Sequence, residues 1–166
     1  MTLRFLPEHV EKVLLVMELA QREGAHLTYT HRTLFAENID LVWVEALASS
    51  EIFAEKIDAF VSRFARLQDH ISEKLIPRFA ALLGENPKSM LDVLAYAEKM
   101  EWLDNAELFL GTRKLRNLLV HEYMTDPQLF LESLHAANLG TPMLLAIVDK
   151  LAAVVSRLGL EHKPHK

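Results

Sequence analysis

Apolar residues recur at steps of three and four along most of the chain, which is the spacing of helices that bury one face. The longest apolar stripe covers residues 53–79, or about seven helical turns, and needs partner helices along its whole length. Its members are Phe53, Ile57, Phe60, Phe64, Leu67, Ile71, Leu75 and Phe79. The pattern predicts an all-α fold, a helical bundle of about five to seven helices.

The N-terminal part of the pattern is less regular than the rest. Pro7 suits the first turn of a helix, and Gly24 is expected to end that helix. Residues 25–37 have no clean period, so a loop is predicted there, with a partner surface as the less favoured interpretation. The predicted division is an N-terminal helix and loop extension (residues 1–37), the bundle (38–160) and a frayed tail (161–166).

Turn and cap signals place the remaining helices. Residues 39–47 predict a short buried helix, and Pro77 should bend the long helix or end its straight part. Asp104 or Asn105 is expected to cap a helix that extends to about residue 124. After Asp126-Pro127 an apolar segment continues to Asn138, and the sequence Gly140-Thr141-Pro142 is expected to open a separate last helix.

Composition narrows the class of protein. The chain has no cysteine, which excludes disulfides and thiolate metal sites and suits a reducing compartment. The N-terminus lacks the apolar run of a signal peptide, and no uninterrupted apolar segment approaches the roughly 20 residues of a membrane span. We therefore expect a cytoplasmic protein with no membrane association. No cluster has convincing metal-ligand spacing, so no metal or cofactor is predicted.

The net charge of −5 argues against a broad nucleic-acid-binding face, because proteins that neutralise many phosphates are usually basic. Any RNA contact should therefore be compact. Residues 113–123 provide such a site, since this helical stretch carries three cations, an amide, an imidazole and a phenol. These polar residues are Arg113, Lys114, Arg116, Asn117, His121 and Tyr123.

A helical wheel at about 100° per residue separates the polar groups of this stretch. Lys114, Asn117 and His121 share one face, whereas Arg116 and Tyr123 share another. The predicted buried face consists of Leu108, Leu115, Leu118 and Leu119. Positions 116 and 121 are about 140° apart, so one straight helix cannot direct both at one phosphate. Either the helix distorts near His121, or a second subunit completes the site.

The string Arg-Asn-Leu-Leu-Val-His-Glu-Tyr at residues 116–123 resembles the RNase motif of HEPN domains, and the chain is most similar to HepT-like toxins. The resemblance covers about residues 41–158. It implies a homodimer with its active cleft between protomers, RNA as substrate, and a cognate nucleotidyltransferase antitoxin as partner. It also nominates Tyr123 as the residue that the antitoxin adenylylates.

The implied chemistry is metal-independent RNA cleavage by attack of a ribose 2′-hydroxyl. Histidine suits proton transfer because its ordinary pKa is near 6.5, so His121 is the candidate acid or base. Arg116 is the candidate for stabilising the phosphorane-like transition state, because its planar fork matches phosphate oxygens. Asn117, Arg113 and Lys114 are supporting candidates.

A second basic group lies on the long predicted helix. Arg63, Arg66, His70 and Lys74 also recur at three- and four-residue steps. If the long helices lie side by side, this basic strip is a candidate for extra phosphate contacts. A solvated helix face is the simpler interpretation.

Three plainer interpretations stay open. The cations of residues 113–116 can interact with the negative end of their own helix, and Tyr123 can pack under the Asp126-Pro127 turn. Some HEPN relatives are noncatalytic helical dimers that serve as substrate-binding partners of nucleotidyltransferases. The sequence does not separate an RNase from such a partner.

Overall fold

A computed structural model of the chain describes residues 4–121 and 125–164, and for His121 only the backbone. A single 3₁₀ turn, Pro7–His9, precedes the first α-helix. The α-helices are α1 (Val10–Leu34), α2 (Leu41–Glu45), α3 (Glu51–His70), α4 (Ile76–Leu82), α5 (Met90–Lys99), α6 (Ala106–His121) and α7 (Pro127–Leu158). No strand occurs in the described ranges, so the all-α prediction is confirmed.

The apolar stripe of the long helix forms the centre of the bundle. Its members from Ile57 to Phe79 are fully buried, and Phe53 at its start packs against the core. α1 and α6 both pack along α3, and α7 packs against α1, α2 and α6. Ser50 caps α3 by accepting a hydrogen bond from the Phe53 amide at 3.3 Å. The predicted short helix at residues 39–47 is present as α2 followed by the 3₁₀ turn Ala46–Ser49.

The first helix is longer than predicted, because α1 passes through Gly24 and ends at Leu34. The loop predicted at 25–37 is wrong over most of its length. Leu27, Thr30 and Leu34 are buried at helical spacing, and the polar Thr30 hid that period. Gly24 is itself buried, and a Cβ added there would lie 3.5 Å from a Leu145 methyl on α7. The glycine therefore belongs to a helix contact and not to a helix end.

The last two predicted segments are one helix, because α7 continues through Pro142. A proline in a helix removes the amide that would bond the carbonyl four residues earlier, here that of Asn138. His31 of α1 replaces that amide: its Nε2 lies 3.2 Å from the Asn138 carbonyl oxygen and 2.7 Å from Oδ1. Because a neighbouring helix satisfies this carbonyl, Pro142 does not end α7.

A π-turn at Ile71–Leu75 joins α3 to α4. Its mark is the Ile76 amide, which donates to the carbonyl of Ile71, five residues back. The regular part of the long helix thus ends before Pro77, as the proline predicted. The stripe runs 67, 71, 75, 79 here, three steps of four that would drift by about 120° around an α-helix. The wider turn keeps all of them buried.

Helix α7 is long and apolar enough to cross a membrane by length and composition, with a mean hydropathy of 1.6 over its most apolar window. A core helix of a soluble protein passes the same test. One face of α7 is buried against the bundle, with Leu134, Leu144 and Leu151 fully inaccessible. The expectation of a cytoplasmic protein stays a prediction.

The C-terminal tail, predicted to fray, has no regular structure over residues 161–164, but two of its residues hydrogen-bond to α1. The imidazole of His162 lies between two carboxylates of α1, with Nδ1 2.9 Å from Glu11 and Nε2 2.8 Å from Glu18. The Lys163 amide donates to Glu11 at 2.6 Å. These hydrogen bonds raise the pKa of His162 and lower the pKa of Glu11.

Candidate functional site

The motif lies on α6, which begins where its cap was predicted. The Asn105 side-chain oxygen accepts the amides of Glu107 at 2.8 Å and Leu108 at 3.3 Å. The Glu98 carboxylate of α5 accepts the Ala106 amide at 2.8 Å. From this start the helix is α-helical through His121. Positions 116 and 121 therefore keep the separation of about 140° that the sequence predicted.

The buried face of α6 differs from the predicted one. Phe109, Thr112 and Leu119 are buried at steps of three and seven, and Arg116 lies between them on the same face. Of the predicted leucines only Leu119 is fully buried, and Leu108 is 61% exposed. The reason is that α6 packs against both α3 and α7, which rotates its inner face toward Phe109 and away from Leu108.

Arg116 is held at the edge of the cleft between α6 and α3. Its Nη2 lies 3.1 Å from Oδ2 of Asp69 on α3, with the two side chains 40% and 32% exposed. Its Nε is buried and has no hydrogen-bond partner among the residues that the structure describes. Its Nη1 lies 3.5 Å from the Asn117 side-chain oxygen, at the long limit of a hydrogen bond. Among the described residues, the guanidinium is therefore held by one ion pair to Asp69, while part of the side chain stays exposed to solvent.

The other candidate residues are distributed around α6. Lys114 and Asn117 are exposed, and Arg113 is half-buried. The side chain of His121 and all of Tyr123 lie outside the described residues, so both predictions about them stay predictions. Among the described side chains, the structure brings Arg116 and Asn117 together and leaves Lys114 about 160° from Arg116 around the helix.

The basic strip of α3 faces α1 and not the motif helix. Arg63 donates to the Thr30 hydroxyl and, at 3.2 Å, to the carbonyl of His26. His70 is buried, with Nε2 2.9 Å from the carbonyl of Val16. At least these two members of the strip therefore connect α3 to α1. The strip does not lie beside the motif helix, where the extra phosphate contacts were expected.

The side of α3 that does face α6 carries acidic and polar residues. Asp58, Ser62 and Asp69 follow one another at steps of four and seven, about one quarter-turn from the basic strip. Asp58 and Ser62 line a cavity of about 270 Å³ together with Leu119 and Val120 of α6. Sequence reasoning did not single out Asp69. Its regular spacing from Asp58 and Ser62 was the available signal.

A second cavity, of about 430 Å³, lies between α6 and α7. This α6–α7 groove is mainly apolar and includes two strongly exposed leucines, Leu108 and Leu139, the latter 81% exposed. Small residues on both helices, Gly111 and Gly140, contribute to its lining. Its lining residues are Glu107, Leu108, Gly111, Thr112, Leu115, Ala136, Leu139, Gly140 and Met143.

Within the described part of the chain, no group of three or more His, Asp or Glu side chains is arranged to hold a metal ion. Comparisons with protein-family models, with curated proteins and with solved structures found no match to this chain.

Proposed function

We propose that this chain is a cytoplasmic, metal-independent endoribonuclease toxin of the HEPN type, acting as a homodimer and neutralised by a cognate nucleotidyltransferase. The observation that carries the proposal is Arg116. Its side chain is 40% exposed on an unbroken helix, paired with Asp69 through Nη2 and close to exposed Asn117 through Nη1. A guanidinium in this setting can donate to phosphate oxygens without leaving its anchor.

The reaction requires one base, one acid and a group that stabilises negative charge. The base takes the proton of a ribose 2′-hydroxyl, whose oxygen attacks the adjacent phosphorus. The bond from phosphorus to the 5′-oxygen breaks, and the acid protonates that oxygen. The products are a 2′,3′-cyclic phosphate and a 5′-hydroxyl. His121 takes a proton-transfer role and Arg116 stabilises the phosphorane-like transition state.

A second copy supplies what one chain lacks. Positions 116 and 121 are about 140° apart on a regular helix, so one copy cannot direct both side chains at the same phosphate. The neighbours of Arg116 on α3 within the same chain are acidic and do not attract a phosphate. An isologous pair presents two motif helices to one substrate. The exposed leucines of the α6–α7 groove support the pairing, because an apolar surface beside the motif helix gains free energy when it is covered.

RNA cleavage by purified protein tests the proposal, with His121→Ala as the matched variant. Loss of acid–base help lowers a rate by about 10²- to 10⁴-fold, so His121→Ala should be nearly inactive while its circular dichroism is unchanged. Wild-type activity should persist in EDTA. Activity that disappears in EDTA and returns with magnesium contradicts the mechanism, and equal cleavage by the variant contradicts the site.

Neutralisation by adenylylation is the second part of the proposal. The Tyr123 hydroxyl attacks the α-phosphorus of ATP on the nucleotidyltransferase, and pyrophosphate leaves. The attached AMP adds bulk and a negative phosphodiester near the arginine that substrate needs. Coexpression with the partner, followed by peptide mass spectrometry, should find AMP on Tyr123. Tyr123→Phe should still cleave RNA and escape modification. Adenylate on another residue, or none with an active partner, contradicts this step.

One observation favours the alternative of a noncatalytic helical dimer that binds a nucleotidyltransferase. Arg116 is already paired with Asp69, and the side of α3 toward α6 is acidic, which opposes binding of a phosphate chain. Under this alternative the protein forms a stable complex with the nucleotidyltransferase but cleaves no RNA. The RNA assay above separates the two functions.

A further inference from the structure

An ion pair connects the proposed catalytic arginine to a different helix at a rigid point of the bundle. Asp69 of α3 pairs with Arg116 at 3.1 Å. The next residue, His70, is buried and lies 2.9 Å from the Val16 carbonyl of α1. Asp69 therefore stands on a stretch of α3 that is fixed between α1 and α6. Its carboxylate has little freedom to follow a moving arginine.

The three nitrogens of the Arg116 guanidinium have different surroundings. Nε is buried without a hydrogen-bond partner among the described residues, Nη2 lies 3.1 Å from Asp69, and Nη1 lies 3.5 Å from the Asn117 side-chain oxygen. Because the guanidinium is planar, the Asp69 contact at Nη2 and the burial of Nε together restrict the direction in which Nη1 donates. A phosphate that approaches from solvent meets a donor whose orientation is already set.

We infer that Asp69 is a positioning residue, which holds the guanidinium plane of Arg116 so that its Nη1 edge meets the scissile phosphate. This inference rests on the proposed RNase function and adds a residue from outside the motif. Oriented groups lower a barrier because their ordering has been done before the reaction, so loss of the anchor should reduce the rate of the chemical step.

The charge of Asp69 makes this role separable from ordinary stabilisation. A carboxylate beside the phosphate site repels substrate in the ground state, so its removal should leave KM unchanged or lower it. The same removal frees the guanidinium and should lower kcat. A residue that only stabilised the fold would change the amount of folded enzyme and would leave KM and kcat per folded molecule as they were.

The test is Asp69→Asn, compared with wild type and with Asp104→Asn. Asp104 is the matched control, since it pairs with Lys150 at 2.7 Å on another part of the surface. With an RNA oligonucleotide, Asp69→Asn should lose kcat by about 10²-fold, the cost of a misplaced group, without a rise in KM. Asp104→Asn should match wild type. An Asp69→Asn variant with wild-type kcat, or one whose loss is entirely a rise in KM, overturns the inference.

A second measurement reports on the anchor without any need for catalysis. ¹⁵N relaxation of the Arg116 Nε–H group should show an ordered side chain in the wild type and a mobile one in Asp69→Asn. An Nε–H group equally ordered in both proteins overturns the inference. A wild type that cleaves no RNA overturns the proposed function and the catalytic part of the inference together. An active wild type with an unaffected variant overturns the inference alone.

Discussion

At the scale of single residues, Arg116 is distinguished by its neighbours more than by its place in a motif. It occupies the inner face of α6 between Thr112 and Leu119, yet keeps 40% of its side chain in solvent. A long cationic side chain can bury part of its length and still reach solvent, and in Arg116 the buried part includes Nε. The pair with Asp69 is exposed enough that it should contribute only about 0–1 kcal/mol to folding.

Arg116→Lys keeps the charge and removes the fork, so it separates these contributions. Lysine is a point donor and cannot bond Asp69 and a phosphate in one plane. We expect RNA cleavage to fall by about 10²-fold, the usual cost of one transition-state donor, with little change in the thermal midpoint. Arg66→Lys is the control, because the described hydrogen bond of Arg66 is to Ser62 of its own helix. Equal activity in Arg116→Lys would reassign Arg116 to structure.

The pair of carboxylates around His162 makes docking of the tail depend on pH. The pKa of His162 is raised above its ordinary value of 6.5, first by its hydrogen bond with Glu11 and then by Glu18. The stabilisation is therefore fully present between pH 4.5 and pH 6.5, and it is lost as pH rises through the raised pKa of His162. The pKa of Glu11 is lowered from 4.5, so acid removes the contact from the other side.

An NMR titration of the His162 ring checks this dependence. In Glu11→Gln and in Glu18→Gln the midpoint should move down toward 6.5, whereas Glu8→Gln should leave it in place. Glu8 is the control because it lies in the 3₁₀ turn before α1 and makes no described hydrogen bond to the imidazole of His162. An unchanged midpoint in Glu11→Gln would mean that the hydrogen bond between His162 and Glu11 does not form in solution.

At the scale of elements, α1 and α7 are longer than the sequence predicted. The contact between His31 and Asn138 accounts for part of the extra length of both helices. His31 belongs to the stretch of α1 that resembled a loop, and it bonds the Asn138 carbonyl that Pro142 leaves open in α7. Proline and glycine predict helix ends because of local sterics and lost hydrogen bonds. These rules consider only the local sequence, and they take no account of a partner helix that supplies the missing donor or packs closely against the glycine.

A double-mutant cycle measures the His31 contact. His31→Ala leaves a half-buried carbonyl without its donor and should cost about 1–3 kcal/mol in denaturant unfolding. In a Pro142→Ala background the helix amide returns to Asn138, so the same His31→Ala change should cost less. Ring packing of His31 on Phe35 is lost in both backgrounds and cancels. An identical cost in both backgrounds would show that packing alone explains the residue.

The same distinction explains what the sequence predicted of the candidate site. The start of α6 at Asn105 and the angle between positions 116 and 121 follow from short-range geometry, and both are present. The buried face of α6 and the direction of the basic strip depend on which helices become neighbours. The apolar period of a single helix does not determine which helices pack against it. For this reason Leu108 was predicted to be buried and Asp69 was overlooked.

At the scale of the whole molecule, the described helices leave an apolar surface uncovered between α6 and α7. Leu108 and Leu139 border the α6–α7 groove, and Glu107 and Lys114 lie on opposite sides of Gly111 along α6. A second copy that covered this groove would bury these leucines, so the groove is the candidate interface of the proposed dimer.

Light scattering at micromolar concentration should give the mass of a dimer. Leu139→Glu should shift it toward monomer with an unchanged helical spectrum, since the side chain is 81% exposed in the single chain. Val42→Glu is the control, because Val42 is 74% exposed on α2, away from the groove. A folded, monomeric wild type would rule out a composite active site.

The π-turn between α3 and α4 makes the chain tolerant of a change in length. Five residues close a turn that an α-helix would close with four, so the segment holds the equivalent of one inserted residue. Elsewhere in the long helix, deletion of one residue would rotate everything downstream by about 100° and expose the core stripe. Removing exposed Glu73 should instead restore an α-turn and keep Phe79 buried. Pro77→Ala should accompany the deletion, because a regular α-turn brings back the clash between the proline ring and the carbonyl four residues earlier.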